Sequence, residues 1–262
     1  MKVLVLGHKG MLGHVVTRFL REQGLNVLTL QERYTAQPND PLIRAIEASE
    51  ADWIINCIGL IKQKSDDSLA LIKTNAMGPA HIKSALRKGQ RLLHPGTDCV
   101  FSGKTGSYAE DARKDAEDIY GFSKLLGEAV AEPGKCTVLR TSIIGPDTGT
   151  ASGLMSWFLS QSKSVNGFTN HFWNGITTLD WAMLAYDLIA GKLNFEKPLV
   201  QVGSKAAVSK YELLCLIRDI WGHKIDIVPV ESPDRVDRTL KVELQRSPIE
   251  EQLKQFKQWY SR

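Results

Sequence analysis

Lys2-Val3-Leu4-Val5-Leu6-Gly7-His8-Lys9-Gly10-Met11-Leu12-Gly13 is the stretch that decides the fold. A short apolar run, read as the buried strand Lys2 to Leu6, passes directly into glycines at 7, 10 and 13. An amphipathic pattern follows from Met11 to Gln23, with Val15, Val16, Phe19 and Leu20 inward. Strand, glycine turn and helix form the context of a dinucleotide fingerprint, because tight turning and close approach of backbone to a pyrophosphate exclude side chains. The free N–H groups and dipole at the start of the Met11 helix favour an anion there.

Strand and helix patterns continue to alternate outward from this unit. Asn26 to Leu30 reads as a strand, Leu42 to Ala48 as a helix, Trp53 to Ile58 as a strand and Ser68 to Lys88 as a longer helix closed by Gly89. Strands follow at Arg91 to His94 and Thr137 to Thr141, on either side of a polar, glycine-bearing loop from Pro95 to Ala116 and a further helix. Beyond Gly145, strands at Leu199 to Val202 and Ile225 to Val230 alternate with helices at Thr178 to Ala190 and Tyr211 to Trp221, the second opened by the capping-box sequence Ser209-Lys210-Tyr211-Glu212. The expectation is an α/β fold: a Rossmann-type doubly wound parallel sheet over residues 1–145 that binds the dinucleotide, and a smaller C-terminal substrate-binding lobe over 146–262. No low-complexity linker separates the two, so the second part is expected to be interwoven with the first.

Tyr120-Gly121-Phe122-Ser123-Lys124 lies on the helix after the Pro95 to Ala116 loop, about a hundred residues beyond the glycines. Residues four apart share a helix face, so the Tyr120 phenol and the Lys124 ammonium point into the same space. A neighbouring positive charge favours the phenolate, which suits Tyr120 to proton transfer near neutral pH. Paired with the glycine run, this implies a nucleotide-dependent redox enzyme.

Composition narrows the alternatives. The 262 residues suffice for one large domain, or one with an appendage. Four scattered cysteines argue against a disulfide framework and a zinc site, and six scattered histidines give no ligand spacing, so no metal is expected. The net charge of +4 is spread among acidic residues, unlike the basic stripe of a nucleic-acid binder. The sequence contains no apolar run long enough to span a bilayer and no signal peptide, which leads to the expectation of a cytoplasmic protein away from membranes. After the second strand stand Gln31, Glu32 and Arg33, with no clean acidic partner for a ribose. Lys9 and Arg33 are placed to meet a 2′-phosphate, so NADPH is expected ahead of NADH.

Gly96-Thr97-Asp98-Cys99-Val100-Phe101-Ser102-Gly103 resembles the S-T-D-Y-V-F-D-G segment of the dTDP-4-dehydrorhamnose reductases, members of the extended short-chain dehydrogenase/reductase family. The resemblance covers most of the chain. It includes Gly7 to Gly13, Asn56 to Gly59, Asn75, Thr97, Tyr120, Lys124 and Leu139-Arg140-Thr141-Ser142, and the glycine loop is also similar to G-H-R-G-M-V-G of the GDP-fucose synthases. It implies NADPH-dependent reduction of a nucleotide-linked 4-keto-6-deoxy sugar. Thr97 would then bond the substrate oxygen, Tyr120 would give the proton, and Lys124 would hold the nicotinamide ribose. Cofactor contacts are expected at Gly7, Lys9, Gly10, Met11, Leu12, Arg33, Cys57, Ile58, Gly59 and Asn75, besides Tyr120 and Lys124. The nucleotide-sugar partner is expected at Thr97, Cys99, Phe101, Phe168, Asn170, Thr177 and Arg238, and a homodimer is admissible.

The chain departs from the family at Gly96, where the reductases have Ser, at Cys99, where they have Tyr, and at Ile143-Ile144-Gly145. Cys99 stands two residues after Thr97, the offset of an epimerising cysteine in GDP-fucose synthases. A combined epimerase and reductase is therefore an alternative, with His171 the nearest candidate partner for the thiol. A non-catalytic subunit, similar to the regulatory subunit of methionine adenosyltransferase, is another; intact Thr97, Tyr120 and Lys124 weigh against it.

Overall fold

A computed structural model describes residues 1–149 and 151–262. In chain order its first half consists of β1 Lys2–Leu6, α1 Met11–Glu22, β2 Asn26–Thr29, α2 Pro41–Ala48, β3 Trp53–Asn56, α3 Ser68–Ile72, a π-helical turn Lys73–Met77, α4 Gly78–Ser84, β4 Arg91–Pro95, α5 Ile119–Glu128 and β5 Cys136–Arg140. The second half consists of β6 Ile143–Ile144, α6 Leu154–Leu159, β7 Val165–Phe168, β8 His171–Trp173, β9 Ile176–Thr177, α7 Thr178–Ile189, β10 Leu199–Ser204, β11 Val208–Ser209, α8 Lys210–Trp221, β12 Ile227–Val230, β13 Val236–Asp237, β14 Leu244–Arg246 and α9 Ile249–Tyr260.

Seven strands form one parallel sheet in the order β14-β10-β5-β4-β3-β1-β2. Successive side chains of a strand face opposite sides, and β1 divides accordingly. Val3 and Val5 enter a core shared with Val15, Val16, Trp181 and Phe256, whereas Leu4 and Leu6 pack with Leu42, Ile46 and Ile82 on the other face. Because both faces are covered, the strands read as continuous apolar runs. The sheet order reverses at β1, whose neighbours β2 and β3 lead off in opposite directions, and a crevice opens there at the carboxyl ends of the strands.

Two features bear directly on the site. The single helix expected from Ser68 to Lys88 is interrupted by the π turn and ends at Ser84. In that turn Asn75 donates to the Leu60 carbonyl at 2.8 Å and to Ser123 Oγ at 3.0 Å while accepting from the Leu60 N–H at 2.9 Å. A π-turn accommodates one extra residue per turn and often accompanies function; here it ties the loop after β3 to α5. Beyond residue 145, β10 and β14 complete the sheet and α7 and α9 pack on it, while β7, β8, β11, β12 and β13 build small sheets beside it. The later part of the chain therefore serves both sheet and lobe.

Candidate active site

At the end of β1, Gly7 adopts φ +71°, and a Cβ there would lie 2.9 Å from the backbone of Cys57 and Ile58 at the end of β3. Gly10 caps α1 without a side chain, and its own N–H donates to the Gly7 carbonyl at 2.9 Å. The N–H groups of the first turn of α1 consequently face the crevice uncovered, with the positive end of the helix dipole behind them. This cradle fits the pyrophosphate of a dinucleotide, and any larger residue at Gly7 would separate β1 from β3.

From that cradle a cavity of about 310 Å³ extends over the carboxyl ends of β3, β4 and β5. Gly10, Met11 and Leu12 line one end, Cys57, Ile58, Gly59 and Asn75 the side, and Thr97, Cys99, Tyr120 and Lys124 the floor. Eleven of the residues expected from the sequence thus converge on one space. Lys9 stands outside this lining, with Nζ donating to Gln31 Oε1 at 2.8 Å, and Arg33 is exposed on the segment after β2.

Burial governs the chemistry of the floor. Lys124 Nζ donates to the Pro95 carbonyl at 2.9 Å, and burial brings its pKa down to about 8 against the opposing pull of Glu128 and Cys99. The Tyr120 pKa is raised, not lowered as its spacing to Lys124 suggests. Burial, followed by the charges that Cys99 and Asp98 carry when ionised, pushes it well above the ordinary tyrosine range, with the nearby Thr97 hydroxyl the opposing influence. Lys124 is occupied at Pro95, and the protein around the phenol penalises the phenolate. Tyr120 therefore keeps its proton, the state a proton donor requires. Thr97 is 7 % exposed; its hydroxyl accepts from the Cys99 N–H at 3.2 Å and donates to Asp98 Oδ1 at 3.3 Å. His94, under the floor, is held neutral, first by burial and then by Lys124.

Several residues expected at the substrate side lie elsewhere. Phe101 is fully buried and stacks on Tyr108 with centroids 4.2 Å apart, in a core cluster of its own. Thr177 is 1 % exposed and caps α7 by accepting from the Asp180 N–H. Asn170 is occupied by both backbone groups of Ser232, and Phe168 stacks on His171 outside the cavity. Arg238 donates from Nε to the Phe101 carbonyl at 3.0 Å and stands behind the wall, where its charge acts on Asp98 and Cys99. In their place the cavity is lined by Asp98, Ser142, Trp173 and Lys210. Antiparallel pairing of β11 with β8 sets Val208 opposite Trp173 and brings Lys210, at the start of α8, onto that indole, with Nζ 5.8 Å from the ring centroid. No local periodicity announces such a pairing.

Cys99 lines the cavity as a thiol. Burial, reinforced by Asp98, pushes its pKa up to about 12, and His171 is engaged with the Asp234 carbonyl at 3.2 Å. Among the described residues, no cluster of three or more His, Cys, Asp or Glu side chains is arranged to hold a metal ion, and no helix is long and apolar enough to cross a membrane.

All of residues 1–262 match the family described as RmlD substrate binding domain. The spore coat polysaccharide biosynthesis protein SpsK of Bacillus subtilis is 32% identical over 150 residues, which cover 54% of this chain and 52% of that protein. A probable dTDP-4,6-dihydroxy-2-methyloxan-3-one 4-ketoreductase of Streptomyces antibioticus is 31% identical over 157 residues, 57% of this chain and 53% of its own. The chain spans about half the length of these curated relatives. A crystal structure of dTDP-4-dehydrorhamnose reductase from Bacillus anthracis in complex with NADP superposes with a TM-score of 0.82 at 18% identity, over 98% of this chain and 99% of that one. At that identity the likeness speaks for the fold.

Proposed function

The chain belongs to the RmlD substrate binding domain family, and on that premise we propose that it is an NADPH-dependent reductase of a nucleotide-linked 4-keto-6-deoxy sugar. The observation that carries the reading is the meeting of Thr97, Tyr120 and Lys124 on the floor of a cavity whose other end is the glycine cradle. The names of the relatives and the NADP complex of the structural neighbour support it.

Gly7, Gly10 and the first turn of α1 would hold the pyrophosphate, Cys57 to Gly59 the adenosine side, and Lys9 and Arg33 a 2′-phosphate. When bound, the nicotinamide supplies the hydride; positioning it against the carbonyl is the protein's contribution. Thr97 orients the carbonyl oxygen, and Tyr120 gives that oxygen its proton as negative charge develops. Lys124 has one N–H on Pro95 and two left for ribose hydroxyls. Lys210 and Asp98 present a donor and an acceptor to the sugar hydroxyls beside Trp173. The raised Cys99 thiol counts against the combined epimerase, which needs a thiolate at neutral pH. A module that only binds has no use for a proton donor at Tyr120.

The test is Tyr120→Phe, assayed by NADPH consumption with 4-keto nucleotide sugars. We expect kcat to fall by about 10² to 10⁴ while NADPH affinity is retained. A variant within about threefold of wild type removes Tyr120 from the mechanism.

A further inference from the structure

One buried carboxylate joins the two segments that carry the floor of the site. Glu128 lies one helical turn beyond Lys124 and two beyond Tyr120, so all three share a face of α5. It is about 4 % exposed, and its Oε1 accepts from the backbone N–H of Thr97, at 3.4 Å. Arg140, at the end of β5, fixes the carboxylate from the far side. Its Nε lies 3.1 Å from both oxygens and Nη2 is 2.7 Å from Oε2, while Nη1 is held by the Glu110 carbonyl and Gln201 Oε1, each at 3.1 Å. Such fork-to-fork geometry restricts the carboxylate to one orientation.

Gly96 completes the arrangement. A Cβ at that position would stand 2.5 Å from Glu128 Oε1 and 3.0 Å from Arg140 Cα, so the carboxylate occupies the space a side chain would take. This accounts physically for glycine immediately before Thr97.

We propose that Glu128, locked by Arg140, is the positioning residue of the active site: it sets the Thr97 backbone against the face of α5 that presents Tyr120 and Lys124, and supplies the negative charge nearest Lys124 on that helix. The proposal rests on the reductase reading and goes beyond it by assigning an aligning role to a pair that touches neither substrate nor cofactor. The groups facing Lys124 are Tyr120 and Glu128 from α5, His94 from β4 and Cys99 from the turn that follows. Arg140 binds Glu128 from its far side, and Lys114 feels the charges of both.

Glu128→Gln keeps the shape and removes the charge, leaving the Arg140 guanidinium uncompensated. Loss of alignment should lower kcat by about 10²-fold, the cost of an ångström-scale misplacement. The Lys124 amine, whose pKa burial brings to about 8 in the wild type, should also lose its proton at a pH lower by about one unit or more without that charge, and NADPH binding should weaken correspondingly earlier as pH rises. Gly96→Ala displaces the same carboxylate without altering any charge, and should lower kcat with little change in the pH profile. Should Glu128→Gln fail to fold, Gly96→Ala decides the matter on kcat alone. Glu128→Gln with a wild-type pH profile, or a folded Gly96→Ala with wild-type kcat, overturns the proposal. If the wild type neither binds NADPH nor reduces a keto sugar, the functional reading falls and takes this one with it. If the wild type is active, these variants judge the positioning role alone.

Discussion

Replacing Lys124 with Met preserves the length of the side chain and removes its charge and donors, and the structure dictates how the consequence depends on pH. The side chain is 7% exposed, and burial lowers its pKa from 10.5 to about 8. The unfolded chain restores the ordinary value, so between about 8 and 10.5 the unfolded state binds more protons than the native one. In wild type this group therefore makes stability rise with pH across that window, and its full unfavourable contribution is present below it. At 1.36 kcal/mol per pH unit, the span corresponds to about 3 kcal/mol. Against this, the Pro95 carbonyl loses its donor in the variant, at about 1 to 3 kcal/mol whatever the pH. Near pH 7 the two terms are of similar size, and Lys124→Met is expected to be as stable as wild type or more so while losing the proposed ribose contact. Urea unfolding of both proteins from pH 7 to 10.5 provides the assay. The stability of the variant relative to wild type should fall by about 3 kcal/mol as pH rises, because every other titrating group is common to both. A difference that stays flat across the window refutes the buried-charge reasoning.

Two further outcomes follow from the cofactor rim and the cavity wall. Arg33 is exposed and Lys9 rests on Gln31 beside the cradle, so Arg33→Ala should erode a preference for NADPH over NADH by about 1 to 3 kcal/mol, the value of a hydrogen bond to a charged group; titration of both cofactors checks this, and equal wild-type affinities would remove these cations from 2′-phosphate recognition. With the Cys99 pKa up at about 12, reduction in deuterated water should place no deuterium at C3 or C5 of the sugar, and exchange abolished by Cys99→Ser would establish the thiol as a base.

What could be read in the sequence divides along physical lines. The parallel sheet and its cradle were legible because backbone geometry imposes them: buried strands must be apolar on both faces, and the Gly7 position admits no Cβ beside Cys57 and Ile58. Tyr120 and Lys124 were legible because helix periodicity fixes their common face, and Thr97 through the resemblance of its segment. Boundaries shifted where side chains intervened, as at Asn75, whose three hydrogen bonds hold a π turn in what reads as one continuous helix. Helix α9 carries a signal of its own, with Ile249, Leu253, Phe256 and Trp259 at helical spacing after Pro248, but its packing against the main core has no local signature. The far wall of the cavity is least legible. Phe101 and Thr177 sit close in sequence to site segments but turn into the core and a helix cap, because direction at a loop depends on packing that no short window encodes. Lys210, Trp173 and Asp98 come together only through the pairing of β8 with β11 and the folding of α8 over the β4 loop. The glycine cradle, where regular secondary structure presents backbone N–H groups, is thus more legible in the sequence than the wall of the cavity opposite it. That wall is built from side chains of separate segments, Cys99 among them. Gly96 makes room for the Glu128 carboxylate, so one departure is explained by a residue 32 positions away.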